Sequence, residues 1–462
     1  MKPRELENLG IGRSAIPAAT AATRAAAAAG RKKSEIRAWM RRLVAEPAAF
    51  VADPIGGELA RLLLPEAPPS APIRDEPVPW RSWGIDLEDE AVAQMRNAAL
   101  LPVSVRGALM PDAHVGYGLP VGGVLATEGA VIPYAVGVDI ACRMRLTVLD
   151  MPAQALRGES ARLARVLEQQ TRFGVGATFG DRRDHDVLDR DWGLTPLVAS
   201  LRDKAWAQLG TSGSGNHFVE FGTLTLEQAD LGLPAGTHLA LLSHSGSRGA
   251  GASIAGFYSR LASTLHPELP PDLRRLAWLD LDSEPGQEYW AAMSLMGEYA
   301  KANHEVIHRE LLRVLGSRPL LEVENHHNFA WKEVHDGREV VVHRKGATPA
   351  GRGVLGVIPG SMATPGFVVR GRGVAASLES ASHGAGRRMS RTAAARSVTW
   401  SQVKKVLAER GVTLLSAGID EAPMVYKDIL DVMRAQQDLV DVVARFDPAI
   451  VKMAPTGEPA ED

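Results

Sequence analysis

A chain of 462 residues with 45% hydrophobic residues can fill a substantial core, in two or three domains or in one large domain with an appendage. Its net charge of −2 and pI near 6.7 exclude a global positive field for nucleic acid, so such a partner would need a local patch. A single cysteine excludes a disulfide framework and fits a reducing, cytoplasmic compartment.

Residues 1–64 read as a helical N-terminal extension. The alanine-rich run over 17–29 is broken by Thr20, Thr23 and Arg24, and no apolar run reaches membrane-spanning length, so no membrane partner is expected. Ser34 is expected to cap a helix over 35–44 that stops before Pro47. Lys32, Lys33, Arg37, Arg41 and Arg42 give it a basic face, read as solvated surface in preference to an RNA contact. Prolines at 65, 68, 69, 72, 77 and 79 predict an extended linker over 65–79.

From Trp80 to the last residue the character changes. Helices are predicted over 88–100, 155–170, 288–315, 400–409 and 429–443. Strands are predicted over 121–126, 131–132, 144–149, 238–243, 340–343 and 367–369, with glycine-rich turns between them. The two kinds mix without a regular βαβ period, which points to an α+β fold.

The chemistry concentrates in glycine-flanked loops. Cys142 follows Asp139 by three residues in GVDIAC. His217, His244 and His327 sit in GSGNHF, SHSGSRG and NHHN. One carboxylate, one thiolate and several imidazoles can hold one or two divalent metals. Three further segments, RKGAT (344–348), PGSM (359–362) and HGAGR (383–387), let backbone N–H groups approach phosphates, so a nucleotide beside a metal centre is expected. His304-Glu305-Val306-Ile307-His308 also fits the H-E-x-x-H zinc-protease pattern, which is kept as a remote alternative.

Nine stretches carry a resemblance, in order: MPDAHVGYGLPVGG (110–123), GVDIAC (137–142), GSGNHFVE (213–220), SHSGSRG (243–249), HHN (326–328), HRKGAT (343–348), PGSM (359–362), SHGAGRRMSR (382–391) and EAPMVYKDI (421–429). Together they resemble the RtcB family of GTP-dependent RNA ligases, over roughly residues 85 to 455. The resemblance implies a catalytic body of mixed sheets flanked by helices over 80–462. It implies joining of RNA 3′-phosphate or 2′,3′-cyclic phosphate ends to 5′-hydroxyl ends, as in tRNA splicing or RNA repair, through a GMP-histidine intermediate and RNA-3′-pp-5′-G. GTP is the implied co-substrate and two Mn²⁺ ions the implied cofactors, with a helper protein for turnover left open. An end-guanylylating or capping protein that seals poorly is the alternative.

By the same resemblance, Asp139, Cys142, His217, His244 and His327 match the metal ligands, with the thiolate between two ions. His383 matches the guanylylated histidine. Asn216, His217, Phe218, Val219, Glu220, His327, Asn328, Pro359, Gly360, Ser361, Met362, His383, Gly384, Ala385 and Gly386 match the nucleotide site. Tyr426 is expected to line it, and Lys452 matches a lysine that contacts guanine. Gly366 stands where the family usually has a serine, so one hydroxyl contact is expected to be missing. Arg143 replaces the usual glycine after the cysteine and is expected to bring a cation near the metals. His114, His185, His238, His266, His326 and His335 read as structural or surface residues, with His114 as readily a supporting group.

Overall fold

The computed structural model describes residues 1–12, 15–64 and 72–458. The chain divides into two compact units: Met1–Pro72 with Arg260–Glu268, and Ile73–Ser259 with Leu269–Asp462.

The smaller unit is helical. Alanine's high helix propensity carries Ile16–Ala28, and Ala15, Ala19 and Ala22 close against Leu6, Met40, Leu43 and Leu59. The next helix spans Lys33–Ala45, and the Lys32 N–H donates to the Glu35 carboxylate at 2.7 Å. Ser34 therefore lies inside the helix and does not cap it. Ile36, Met40 and Leu43 face inward, while Arg37 pairs with Glu5. Residues 65–71 of the expected linker lie outside the described residues. Its second half is tied into the larger unit, with Arg74 N–H donating to Leu100 O at 3.0 Å and Val78 N–H to Ala99 O at 2.9 Å.

The larger unit mixes strands and helices in an α+β arrangement. One sheet has five strands in the order Trp80–Ser82, Ser104–His114, Val121–Thr127, Arg338–Lys345, Asn328–His335. A second has eight: Leu355–Ile358, Gly366–Gly371, Val440–Met453, Phe218–Leu226, Gly236–Ser245, Arg143–Leu149 and Pro319–His326 in order, with Thr413–Ser416 parallel to Val440–Met453. His327 is the single residue between Pro319–His326 and Asn328–His335, so the chain passes from one sheet to the other at that point.

The predicted helix over 429–443 is corrected. Helix ends at Ala435, and Val440–Met453 is a strand at the heart of the second sheet. Branched Val440, Val442, Val443, Ile450 and Val451 favour the pleated surface, and Pro448 is accommodated where the register shifts. The 32-residue helix Glu284–Leu315 starts where Ser283 Oγ accepts the Gly286 N–H at 3.2 Å and stops at left-handed Gly316. Among the described residues, no helix is long and apolar enough to cross a membrane.

Candidate active site

Strand ends bring the site together. Cys142 immediately precedes Arg143–Leu149, His217 immediately precedes Phe218–Leu226, and His244 is the penultimate residue of Gly236–Ser245. The register pairs Arg143 with both Ser245 and His326, and Phe218 with His244. Four neighbouring strands therefore begin or end together at one end of the sheet.

Their side chains form two ligand groups that share the thiol. Asp139, Cys142 and His217 make one, and Cys142, His244 and His327 the other, all buried. Cys142 Sγ lies 3.3 Å from His217 Nε2 and 3.0 Å from His244 Nε2. Asp139 Oδ2 is 3.1 Å from His217 Nε2, and His244 Nε2 is 3.1 Å from His327 Nε2. Backbone carbonyls set two of the rings. His217 Nδ1 donates to Ser212 O at 2.8 Å and His244 Nδ1 to Asn216 O at 3.1 Å, which leaves each Nε2 as a lone pair.

The donor set suits a divalent cation. Asp139 Oδ2 and His327 Nδ1 are buried without a hydrogen-bond partner. Burial pushes His244 down to about 3 and His327 well below its ordinary value, so both rings stay neutral. Burial, and then the neighbouring Asp139, push the Cys142 thiol up, a cost that a cation removes by holding the thiolate. Burial opposes ionisation of Asp139, but His217 and Arg248 offset it and keep the carboxylate below its usual range. A Cβ on Gly246 would sit 2.1 Å from that carboxylate, so only glycine lets the SHSGSRG loop close on Asp139.

The ligand groups open into a cavity of about 780 Å³, within the range of nucleotide-sized sites. His383 stands beside them, its ring 4.9 Å from that of His327. Its Nδ1 is 2.7 Å from Oδ2 of the buried Asp112, which also accepts the backbone N–H groups of His383 and Gly384. Burial works against the Asp112 charge, yet His383, His114 and Lys427 hold the carboxyl below its ordinary value. The result is an imidazole with Nδ1 occupied, which leaves the Nε2 lone pair free. Gly386 permits this closeness, since a Cβ there would lie 2.0 Å from Asp112 O.

Most of the expected nucleotide residues meet in this cavity. Phe218 and Glu220 enter from one strand, Asn216 from the loop just before it, and Asn328 from the junction after His327. The loop 359–362 with Gly366 forms one wall, and Gly384, Ala385, Gly386 and Tyr426 form another. Burial pushes Glu220 up towards its neutral, donating form. Thr364, two residues before Gly366, spends its hydroxyl on the Ser361 N–H at 2.7 Å, bracing the loop from within.

Two expected residues are not brought to the cavity. Along Val440–Met453 the alternation turns Val451 and Met453 inward and Lys452 away, where its Nζ meets the carbonyls of Leu167, Glu168 and Thr171 at 3.1–3.3 Å. Val219, paired with Lys452, turns the same way into the core. Arg143 likewise brings no cation into the cavity lining: its guanidinium pairs with Glu324 at 3.1 Å. His326 packs edge-on against Phe329 and tilted against Trp331, outside both ligand groups.

The H-E-x-x-H histidines are engaged by hydrogen bonds. His304 is held by Ser243 Oγ (2.7 Å) and Ser245 O (3.1 Å), and His308 by Ser243 Oγ (2.8 Å) and Thr147 Oγ1 (2.7 Å). Glu305 pairs with His185, and the motif contributes to no ligand group among the described residues. These histidines brace the back of the strand whose His244 faces the cavity.

Sequence reasoning did not assign Asp112 a role, although it lies in the first matching stretch. Lys345 and Arg387, within the RKGAT and HGAGR segments, also line the cavity, as does Arg391. Burial, then Arg275, pushes Lys345 down to about 7. Arg387 and Arg391 pair with the buried Glu421, which also receives the Tyr426 hydroxyl.

A family model described as tRNA-splicing ligase RtcB matches residues 94–194 and 191–453. The RNA-splicing ligase RtcB of Escherichia coli K12 is 34% identical over 401 residues, covering 80% of this chain and 95% of that protein. The RNA-splicing ligase RtcB of Mycobacterium tuberculosis is 35% identical over 427 residues, covering 77% and 98%. The tRNA-splicing ligase RtcB of Nanoarchaeum equitans is 30% identical over 439 residues, covering 79% and 91%.

Proposed function

This chain belongs to the RtcB family and is an RNA ligase, and we propose that it joins RNA 3′-phosphate or 2′,3′-cyclic phosphate ends to 5′-hydroxyl ends, using GTP. The observation that carries this reading is the Asp112–His383 pair beside two ligand groups that share Cys142.

His383 Nε2 attacks the α-phosphorus of GTP, a P–N bond forms, and pyrophosphate leaves. Asp112 keeps the Nδ1 proton in place and offsets the positive charge that grows on the ring. A 3′-phosphate oxygen of the RNA then displaces His383 from phosphorus, giving RNA-3′-pp-5′-G. A 2′,3′-cyclic phosphate must first be opened by water to the 3′-phosphate. The 5′-hydroxyl attacks the RNA 3′-phosphorus, GMP departs, and its proton is lost to solvent. Asp139, Cys142, His217, His244 and His327 would hold two cations, whose positive charge would stabilise the phosphates. Thiolate and imidazole by themselves suit zinc; the assignment to Mn²⁺ rests on the family resemblance. Arg387 and Arg391 add positive charge to the cavity wall, and Lys345 adds a group that is charged only when protonated.

The test is GTP- and metal-dependent joining of a 3′-phosphate RNA to a 5′-hydroxyl RNA, with labelled GTP reporting the covalent adduct. Adduct and joined product are expected together. An adduct with capped ends and no joined product would assign end-guanylylation instead.

A further inference from the structure

Tyr117 is 55% exposed, yet hydrogen bonds hold its backbone and that of the residue before it. Gln94 clamps the preceding residue in both directions, donating to Gly116 O at 2.7 Å and accepting the Gly116 N–H at 3.0 Å. Lys345 Nζ donates to Tyr117 O at 2.5 Å. A Cβ on left-handed Gly118 would sit 3.1 Å from Arg275 O, so the loop lies close against that segment. The Arg275 guanidinium rests 4.6 Å from the Tyr117 ring centroid and 6.0 Å from that of Tyr134.

A half-exposed aromatic ring buries little apolar surface and gains little from the hydrophobic effect. The ring nevertheless lines the wall of the reaction cavity, together with Val115, which is 36% exposed. The wall leads directly to the nucleophile: Lys345 touches Tyr117, and a Cβ on the next residue, Gly346, would lie 3.1 Å from His383 Cε1. Bases of single strands stack on such rings, and a cation against the ring adds attraction for the phosphate backbone.

The geometry points to Tyr117, backed by Arg275, as a stacking platform for a nucleobase of the RNA strand whose end enters the cavity. This rests on the RNA-ligase reading and adds a subsite to it. Two strands could supply the base, the one ending in 3′-phosphate and the one beginning with 5′-hydroxyl.

The experiment measures binding of fluorescent single-stranded RNAs to the full chain without GTP. Each strand is used intact and with an abasic site at its terminal nucleotide. Tyr117→Ala is expected to raise the Kd of one strand by about 5- to 100-fold, with Tyr117→Phe staying within about twofold of the parent. The abasic version of that strand should bind parent and Tyr117→Ala alike, and its identity names the strand. Equal binding of both intact strands by parent and Tyr117→Ala overturns the platform. So does a Tyr117→Ala defect that persists on both abasic strands. Absence of adduct or joining by the parent protein would sink the ligase reading while leaving this binding result intact.

Discussion

Asp112 grips His383 through one oxygen atom. Oδ2 lies 2.7 Å from the ring Nδ1 and takes the His383 and Gly384 N–H groups at 3.1 and 3.2 Å, while Oδ1 is buried without a partner. Three donors converge on one carboxylate oxygen, so backbone and ring are oriented by the same contact.

Asp112→Asn separates geometry from charge. Three donors face the position of Oδ2, so the amide oxygen must occupy it and ring orientation should survive. The imidazole loses its anionic partner, and GMP-adduct formation is expected to slow on the order of 10²-fold. His383→Ala should form no adduct at all, yet retain some sealing of RNA already carrying 3′-pp-5′-G. Single-turnover labelling with GTP measures the first; an adduct on His383→Ala would move the nucleophile elsewhere.

Cys142→Ala removes the atom common to both ligand groups. Elemental analysis of the purified protein is expected to show metal falling at both groups together. Asp139→Ala and His327→Ala each belong to one group and should each lower only part of the content. Full retention of metal by Cys142→Ala would contradict a shared ligand.

His304→Ala tests the rival motif. Loss of a buried imidazole that serves Ser243 and Ser245 should cost about 1–3 kcal/mol of stability by chemical denaturation. Metal content and the covalent adduct should remain. A single zinc that vanished with His304 or His308 would revive the protease.

Lys345 gives a pH signature with a definite sign. Its folded value is lowered to about 7 from 10.5, so between those values the unfolded chain holds a proton that the folded chain lacks. Its contribution therefore makes stability rise with pH across that window. Lys345→Met should be more stable than the parent by up to a few kcal/mol near pH 6–7, with the gap closing as pH approaches 10. Denaturation midpoints at several pH values read this out; a gap that widens with pH would show that Lys345 is not buried as a charge.

The sequence made the chemistry more legible than the scaffold. Asp139, Cys142, His217, His244 and His327 each sit in a short glycine-flanked context, and such contexts survive any error in strand assignment. Strand Ser104–His114 could not be seen, because its burial on both faces and its internal Gly107 and Pro111 erase the alternation that marks a strand. Val440–Met453 was hidden for a different reason, since Leu439, Val440 and Val443 continue the helix-like spacing of Ile429, Val432 and Met433. The orientation of Lys452 depends on the register of that strand, which spacing alone cannot fix. Asp112 was missed because its partner lies far away in sequence.

That separation has a kinetic meaning. The contact between Asp112 and His383 spans 271 positions, and the approach of His217 to Asp139 must form inside the same closed loop. Contacts of such high order form late, after most of the larger unit has found its topology. A chain still emerging from synthesis, or one truncated before residue 383, cannot assemble the nucleophile beside its carboxylate. Covalent labelling by GTP would thus report completed folding, and a destabilised variant should lose labelling in proportion to its unfolded fraction.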